Sequence, residues 1–385
     1  MAIIDKISTY SDDLIAIRRD LHEHPELGMH ETRTSAIVAD FLKQWGIEVH
    51  TGIGNTGVVG VLKGQSEGRM IGLRADMDAL PIHECTNLAF ASKTPGVMHA
   101  CGHDAHTTML LGAARYLAET RQFNGTAVFI FQPAEEGLGG ARAMLADELF
   151  DRFPCEEIYG MHNLPDGNPH QVGVKPGQAM AGADFFDITI NAEGAHAAMP
   201  HQSIDPIVIG SSLVQQFQSI VSRNVAPTQP LVLSVTQIHS GSAYNVIPSQ
   251  CTLSGTMRYF DNELADTVRQ RMQALCDGAA KGHGIEIIFD RRNIFDVLVN
   301  DEKLSHVMLD VAAEVVGKEN TALKTEVVTG SEDFADMLRV IPGAYCTIGH
   351  GGTLPLHNDG FILDEGILPV GSSIYARLIE KRTTA

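Results

Sequence analysis

The stretch Thr126-Ala-Val-Phe-Ile-Phe-Gln-Pro-Ala-Glu-Glu-Gly137 decides the fold class of this sequence. Residues 126–131 form a continuous run of strand-forming, mainly apolar side chains, which is typical of a strand buried on both faces of a parallel sheet. The adjacent carboxylates of Glu135 and Glu136 follow directly, and ligands of open α/β sheets bind at the carboxyl ends of the strands. The stretch therefore predicts a central strand that ends at a polar, chemically competent edge.

Segments on both sides of this strand repeat the alternation of short apolar runs and amphipathic helices. Further strands are predicted at Gly57–Leu62, Met70–Arg74, Glu156–Met161 and Ala344–Ile348. Helices are predicted at 4–20, 32–45 (ended by Gly46), Thr107–Thr120 and 366–381. Strands that alternate with helices predict an α/β domain with a mostly parallel sheet.

The pattern changes between residues 184 and 295. The order of predicted elements there is β-α-β-β-α-β, which is the ferredoxin-like arrangement. The predicted elements are Phe185–Ile190, Pro206–Val221, Leu231–Ile238, Cys251–Arg258, Asn262–Lys281 and Ile285–Phe289. The sequence therefore predicts a main domain of residues 1–183 and 296–385, interrupted by a smaller inserted α+β domain of residues 184–295.

Composition excludes several classes of function. The 385 residues carry 28 Lys and Arg against 47 Asp and Glu, a formal net charge of −19. A chain so acidic is a poor binder of nucleic acids or anionic membranes, which require clustered positive charge. The sequence shows neither a membrane span nor a secretory signal, so we expect a cytoplasmic protein. The six cysteines are widely spaced without a CxxC pair, which argues against a disulfide framework.

Two polar segments stand out before the central strand. Asp76 and Asp78 follow the strand predicted at Met70–Arg74; the alternative is a turn with solvated carboxylates. Cys101 and His103 offer a thiolate and an imidazole two residues apart, a pair that can meet one metal ion. The alternative for this pair is a capped helix entrance with polar histidines.

Three further candidates follow the central strand. If the chain stays extended, Glu135 and Glu136 point in opposite directions, so one can bind a metal while the other serves as general base. The alternative is an acidic pair favoured by a helix dipole. His162 ends another strand and His357 lies in a polar turn; taken singly, such histidines are more often a core residue and a solvated one.

The five potential ligands carry more weight together than singly. Cys101, His103, Glu136, His162 and His357 all fall at strand ends or turns of the main domain. Two metal ions about 3.5–4 Å apart need roughly this many protein ligands. The set therefore predicts a two-metal site.

Seven motifs occur in an order that resembles one known family. They are ADMDALP (75–81), MHACGHDAHTTMLLGAA (98–114), FQPAEEG (131–137), GMHNLP (160–165), GAHAAMPH (194–201), NVIP (245–248) and LHNDGF (356–361). The set resembles the amidohydrolase subfamily of metallopeptidase family twenty, which includes hippurate hydrolases, N-acyl-amino-acid amidohydrolases, auxin-conjugate hydrolases and N-acetyl-diaminopimelate deacetylases. With RRDLHEHPELG (18–28), the resemblance covers almost the whole chain.

The resemblance implies roles for single residues. The metal ligands fall on Cys101, His103, Glu136, His162 and His357, and the general base falls on Glu135. Asp78 matches a carboxylate that orients a ligand or the base, whereas the role of Asp76 stays open. His196 matches a residue that stabilises the oxyanion, within its own subunit or across a dimer interface. Asn245 and Arg258 match residues that reach the substrate, Arg258 through the substrate carboxylate. Without the resemblance, His196 would be a polar loop residue and Arg258 part of a surface salt bridge.

The resemblance also implies the reaction and its components. We expect metal-dependent hydrolysis of the amide bond of N-acyl amino acids, with two divalent ions (Zn, Mn, Co or Ni) and the 184–295 domain as a lid that pairs subunits into a homodimer or larger homo-oligomer. The alternative substrates are N-acetyl-diaminopimelate and small peptides. Rival classes are a cysteine hydrolase that uses Cys101 with His103 or His106, a metal-binding scaffold without activity, and an acidic storage or interaction protein. The cysteine hydrolase leaves Glu135, Glu136, His162 and His357 without a role.

Overall fold

The computed structural model describes residues 1–384, which divide into two compact units. The first unit contains Met1–Ala179, Val299–Glu326 and the chain from Asp333 onward. The second contains Met180–Leu298 and Val327–Glu332. Each unit has its own cluster of buried apolar side chains.

The regular elements of both units are numbered here in chain order. The α-helices are α1 (Asp5–Ser8), α2 (Ser11–Glu23), α3 (Thr32–Gln44), α4 (His103–Thr120), α5 (Gly140–Ala146), α6 (Leu149–Arg152), α7 (Pro206–Asn224), α8 (Asn262–His283), α9 (Glu302–Val316), α10 (Phe334–Leu338) and α11 (Leu368–Arg382). The strands are β1 (Glu48–Ile53), β2 (Gly57–Lys63), β3 (Met70–Asp76), β4 (Thr126–Gln132), β5 (Glu157–Leu164), β6 (Val172–Val174), β7 (Gly177–Met180), β8 (Gly182–Asn191), β9 (Ala195–His196), β10 (Leu231–Ser240), β11 (Val246–Ile247), β12 (Gln250–Tyr259), β13 (Glu286–Phe295), β14 (Leu298–Asn300), β15 (Thr321–Leu323) and β16 (Gly343–Gly349).

An eight-stranded mixed sheet forms the centre of the first unit, in the order β1-β2-β4-β3-β5-β16-β6-β15. Its middle pairs, β4 with β3, β3 with β5 and β5 with β16, are parallel. The β1–β2, β2–β4 and β6–β16 pairs are antiparallel. The predicted α/β class with a mostly parallel sheet is confirmed. The predicted central strand is β4, whose residues after Thr126 are all buried.

Helices α4 and α11 cover this sheet and pack closely against each other. A Cβ atom on Gly112 of α4 would lie 2.3 Å from Ser372 Oγ, and one on Gly371 of α11 would lie 2.1 Å from Met109 Sδ. A larger residue at either position would require the side chain of Ser372 or Met109 to move. Helix α4 is therefore buried along most of its length, and its first residue, His103, stands in the interior.

The first unit differs from the sequence prediction at two places. The predicted helix 4–20 is two helices, because the chain turns at Thr9 and Tyr10, where Ser11 Oγ donates to the Ser8 carbonyl at 2.9 Å. Strand β1 was not predicted, since it is an edge strand with mostly exposed or half-buried residues and no apolar run. Gly46 does end helix α3, with a left-handed φ of 69° as predicted.

The second unit is built on a four-stranded antiparallel sheet in the order β10-β12-β8-β13. Helices α7 and α8 contribute Phe217 and Met272 to a core with Ile188 and Leu253 of the sheet. The elements follow the predicted β-α-β-β-α-β order.

No helix among residues 1–384 combines the length and apolar composition needed to cross a bilayer.

Candidate metal centre

The predicted polar edge lies where neighbouring parallel strands of the first unit end. Asp76, the last residue of β3, pairs in register with Gln132, the last residue of β4. On the other side of β3, strand β5 carries His162 two residues before its end. The turn after β4, the loop before α4 with the first residue of that helix, and the loop after β16 supply the remaining candidates.

The five predicted ligands come together at this edge. Two groups of side chains each place their ligand atoms within 4.8 Å of one another, and both contain Cys101: one adds His103 and His162, the other Glu136 and His357. Cys101 Sγ lies 3.4 Å from His162 Nε2, and His357 Nε2 lies 3.2 Å from Glu136 Oε1. The cluster mixes one thiol, one carboxylate and three imidazoles, a donor set suited to transition-metal ions.

A glycine turn makes the Cys101–His103 pair possible. Gly102 has φ of 93°, and a Cβ atom there would lie 2.2 Å from Asn163 Nδ2. That same amide donates to the Cys101 carbonyl at 2.6 Å. Only glycine therefore allows the loop to lie against Asn163 while Cys101 and His103 both face the cluster.

Hydrogen bonds orient two of the histidines. His103 Nδ1 donates to Asp78 Oδ1 at 3.0 Å, and Asp78 Oδ2 accepts the main-chain N–H of Glu136 at 3.0 Å. His162 Nδ1 donates to the Asn163 carbonyl at 2.6 Å. In the neutral form of both rings the lone pair is thereby assigned to Nε2, the arrangement that metal-bound histidines require.

The interior of the cluster contains an unsatisfied atom. His103 Nε2 is buried and has no hydrogen-bond partner. Buried polar atoms without partners are rare and costly, which indicates that another group belongs there. The five side chains therefore fit divalent metal ions both in donor type and in orientation.

His103 and the buried carboxylate of Asp76 strongly shift each other's pKa. Burial lowers the pKa of His103, but the carboxylate of Asp76 and the hydrogen bond to Asp78 outweigh it and hold that pKa well above its ordinary value. Burial alone would raise the pKa of Asp76, yet the cations around it hold that pKa well below its ordinary value. The site thus stabilises positive charge next to buried carboxylates.

Two of the remaining ligands, Cys101 and His357, carry protons that a cation would replace, whereas His162 is already neutral. Burial, with the nearby charge of Glu136, raises the pKa of the Cys101 thiol. Contacts with Cys101 and Glu136 raise the pKa of His357 to about 10. Burial holds the pKa of His162 well below its ordinary value. Since metal ligands bind in their deprotonated form, metal uptake at this cluster releases protons.

The sequence left the role of Asp76 open, and its contacts in the structure indicate a structural role. Its carboxylate accepts from Arg74 at 2.8 Å and from His106 Nδ1 at 2.6 Å. His106 Nε2 in turn accepts the main-chain N–H of Asn163 at 3.0 Å. Both nitrogens of His106 are thus engaged, which removes it as the general base of a cysteine hydrolase.

The geometry assumed for the two glutamates is wrong. Strand β4 ends at Gln132, Ala134 has a left-handed φ of 52°, and the Gly137 N–H donates to the Glu135 carbonyl at 2.6 Å. Because the segment is a turn and not extended, the side chains do not point in opposite directions. Each glutamate places an oxygen within 4.8 Å of a His103 nitrogen.

Contacts distinguish the two glutamates instead. Glu136 lies beside His357, whereas Glu135 is buried, at 6% exposure, and accepts the main-chain N–H of Asp333 at 3.4 Å. The two glutamates are therefore distinguished by their neighbours and not by direction.

Two buried carboxylates that hold this turn were not found from the sequence. Asp333 accepts from Gln132 Nε2 at 2.7 Å and from the Ala141 N–H at 3.0 Å. Glu31 accepts from the Ala134 N–H at 2.8 Å. A carboxylate at the start of a helix resembles an ordinary cap in sequence, so only the three adjacent polar residues Ser331, Glu332 and Asp333 offered a signal.

The other three predicted residues belong to the second unit. His196 and Asn245 line a cavity of about 830 Å³, and His196 Nδ1 accepts the Ala198 N–H at 3.1 Å. Arg258 is half-buried on β12, 5.7 Å from the ring of Phe185. Among residues 1–384 no carboxylate forms an ion pair with Arg258, so the surface salt bridge is not observed.

Comparisons with known proteins agree with the motifs. A hippurate hydrolase from Campylobacter jejuni is 40% identical to this chain over 381 residues, which cover 99% of both proteins. An N-acetylcysteine deacetylase from Bacillus subtilis is 41% identical over 367 residues, which cover 95% of both. The crystal structure of the Bacillus subtilis YXEP protein, a dinuclear metal-binding peptidase from the M20 family, matches with a TM-score of 0.82 at 37% identity and covers 97% of this chain and 98% of its own.

The model of the peptidase family M20/M25/M40 matches residues 72–381, far more than half of the chain. The resemblance carried by the ordered motifs is thereby confirmed, and this protein belongs to peptidase family M20/M25/M40.

Proposed function

We propose that this protein hydrolyses the amide bond of N-acyl amino acids with the help of two divalent metal ions. The observation that carries the proposal is the cluster of five side chains in two groups that share Cys101. Relatives named for hydrolysis of hippurate and of N-acetylcysteine, both N-acyl amino acids, support the reaction class.

The proposed ligands are Cys101, His103, Glu136, His162 and His357, and the ions are Zn, Mn, Co or Ni. When bound, such ions polarise the scissile carbonyl and acidify water at the site. Asp78 would keep His103 in the tautomer that presents Nε2, since it accepts the proton on Nδ1.

Glu135 is the proposed general base. It would take a proton from the attacking water while the C–O bond forms, and deliver that proton to the amide nitrogen while the C–N bond breaks. A positioned acid–base group of this kind contributes typically 10²–10⁴-fold to the rate. Burial among the turn residues 133–137 and the contact with Asp333 keep its carboxylate in one place.

The second unit would supply the remaining groups. We propose that His196 stabilises the oxyanion, a contact worth about 3–4 kcal/mol in other hydrolases. Asn245 and Arg258 would bind the substrate, and Arg258 would do so by pairing with the carboxylate of the substrate.

We further propose that residues 184–295 form the lid that pairs subunits into a homodimer and that residues 1–183 and 296–385 form the catalytic domain. The proposed location is the cytoplasm.

A substrate panel tests the proposal. Hippurate, N-acetyl amino acids, N-acetyl-diaminopimelate, indoleacetyl amino acids and dipeptides are each incubated with the protein loaded with Zn, Mn, Co or Ni. We expect turnover of N-acyl amino acids that a chelator abolishes and a divalent ion restores. Turnover that survives complete metal removal would contradict the proposal, as would hydrolysis of dipeptides alone.

A further inference from the structure

A second feature of the first unit lies beside the candidate metal centre. The loops after β5 and after β16 enclose a cavity of about 420 Å³, a volume within the range of small-molecule sites. Leu164 and Pro165 form one wall, and Leu354, Pro355 and Leu356 form the other. The cavity is thus lined mainly by apolar side chains.

Both walls begin at proposed metal ligands. Leu164 stands two residues after His162, and Leu356 directly precedes His357. The two loops are tied together because the His350 N–H donates to the Leu164 carbonyl at 3.1 Å. A substrate whose scissile carbonyl lay at the ligand cluster would therefore have this cavity next to it.

The charge of the lining decides which half of the substrate fits. Asp166 is the one ionisable side chain among the residues that line the cavity. Lys324 is close enough to interact electrostatically with Asp166, but it is not part of the lining. An N-acyl amino acid has an anionic half, which bears the carboxylate, and a half that is usually uncharged, the acyl group. Asp166 and the apolar walls disfavour the anionic half through like-charge repulsion and loss of hydration.

We infer that this cavity binds the acyl group of the substrate and selects uncharged aromatic or medium-length aliphatic acyl groups over acetyl and over acyl groups that end in a carboxylate. The inference rests on the proposed amide hydrolysis and adds the substrate class. In apolar pockets one methylene group changes kcat/KM by about 10–200-fold, so a filled cavity produces a clear preference.

The first test compares two tryptophan variants at exposed leucines. Leu354→Trp fills the cavity, whereas the control Leu323→Trp alters a comparably exposed leucine on β15 that does not line it. The ratio of kcat/KM for an N-benzoyl and an N-acetyl derivative of one amino acid should fall about 10-fold or more in Leu354→Trp and stay unchanged in Leu323→Trp. An unchanged ratio in both variants overturns the inference. If Leu354→Trp does not fold, Leu354→Phe takes its place under the same criterion.

The second test concerns charge. Asp166→Asn should raise kcat/KM for an N-succinyl amino acid relative to its N-benzoyl counterpart several-fold at low ionic strength, and salt should reduce the difference. If that ratio does not change, Asp166 does not contribute to the selectivity for acyl groups. Calorimetric affinities of the N-benzoyl and N-acetyl ligands, measured in the Glu135→Gln background with and without Leu354→Trp, show whether the preference lies in binding.

The outcomes separate the two proposals. If no N-acyl amino acid is hydrolysed at all, the proposed function fails. If N-acyl amino acids are hydrolysed but Leu354→Trp changes the preference among amino-acid side chains at a constant acyl group, the cavity holds the other half of the substrate and only this inference is wrong.

Discussion

Glu31 and Ala134 are joined by a hydrogen bond of 2.8 Å, from the main-chain N–H of Ala134 to the carboxylate of Glu31. Ala134 has a left-handed φ of 52° and directly precedes Glu135. The other carboxylate oxygen of Glu31 accepts from Thr56 Oγ1 at 2.6 Å, and Glu31 itself is fully buried. A carboxylate at the start of α3 thus holds the turn that carries the proposed general base.

This contact makes Glu31 a positioning residue. Glu31→Ala leaves the buried N–H of Ala134 without an acceptor, so we expect Glu135 to lose its position and kcat to fall roughly 10- to 100-fold with little change in KM. Glu31→Gln keeps an acceptor and should restore most of the rate. The steady-state parameters of both variants, together with their metal content, check this expectation.

Glu26 provides the matched control for Glu31. Its carboxylate accepts the main-chain N–H groups of Arg33 at 2.9 Å and Thr34 at 2.8 Å and does not touch the turn at Ala134. Glu26→Ala should therefore lower the free energy of unfolding without changing kcat. Equal losses of kcat in Glu26→Ala and Glu31→Ala would mean that Glu31 acts only through stability.

Cys101→Ala should remove most of the bound metal. Cys101 belongs to both ligand groups, so its loss weakens both, whereas the fold should remain. Cys346→Ala is the control, because Cys346 is also buried, on β16, but lies outside the cluster. Metal content, measured by elemental analysis, and kcat test whether Cys101 is a ligand. Full metal content and activity in Cys101→Ala would exclude its thiol as a ligand.

Glu84 predicts a dependence of stability on pH. Its side chain is 3% exposed; burial raises the pKa of Glu84, but His22, Thr86 and the Ser92 N–H outweigh it and lower that pKa to about 2, from 4.5 in an unfolded chain. The depressed pKa stabilises the fold above about pH 4.5, and this stability is lost as the pH falls toward 2.

The corresponding variant is Glu84→Gln. It should unfold at lower denaturant concentration than the parent at pH 7, with a difference in the free energy of unfolding on the order of 2 kcal/mol, and the difference should shrink at pH 3. Denaturant titrations at the two pH values measure it. A difference that is independent of pH would show that Glu84 stabilises the fold through neutral hydrogen bonds alone.

Arg258 should distinguish a substrate carboxylate from its ester. A charge-assisted hydrogen bond is worth about 1.5–3 kcal/mol, so the methyl ester of an N-acyl amino acid should show kcat/KM roughly 10- to 100-fold below the free acid. Arg258→Gln should reduce turnover of the acid to that of the ester. Arg292→Gln, on strand β13 of the same sheet, is the control and should keep the full difference. If Arg258→Gln still prefers the acid, another residue binds the carboxylate.

The sequence predicted those parts of the site that depend on local pattern. The apolar run of β4, the glycine between Cys101 and His103, and the histidine near the end of β5 each follow from a few neighbouring residues. The carboxylates that hold the turn after β4 could not be predicted in this way, because they are distant from that turn in the chain. Glu31 lies 103 residues before Ala134, and Asp333 lies 198 residues after Glu135.

The incorrect geometry of the two glutamates has a similar origin. Local pattern predicted an extended segment after β4, but Glu31 and Asp333 hold the chain there in a turn with a left-handed residue at Ala134. Tertiary hydrogen bonds thus determine a backbone conformation that the residues of the segment do not favour by themselves.

The assignment of Glu135 and Glu136 is the central claim of the account. Glu135→Gln keeps the size of the side chain but cannot accept the proton, so it should retain both metal ions and bind substrate while kcat falls about 10²–10⁴-fold. Glu136→Gln should instead lose metal affinity, and excess metal should restore part of its rate. Metal stoichiometry and kcat measured side by side for these two variants test the claim most directly: the account predicts full metal content in Glu135→Gln and reduced content in Glu136→Gln, and the reverse result would contradict it.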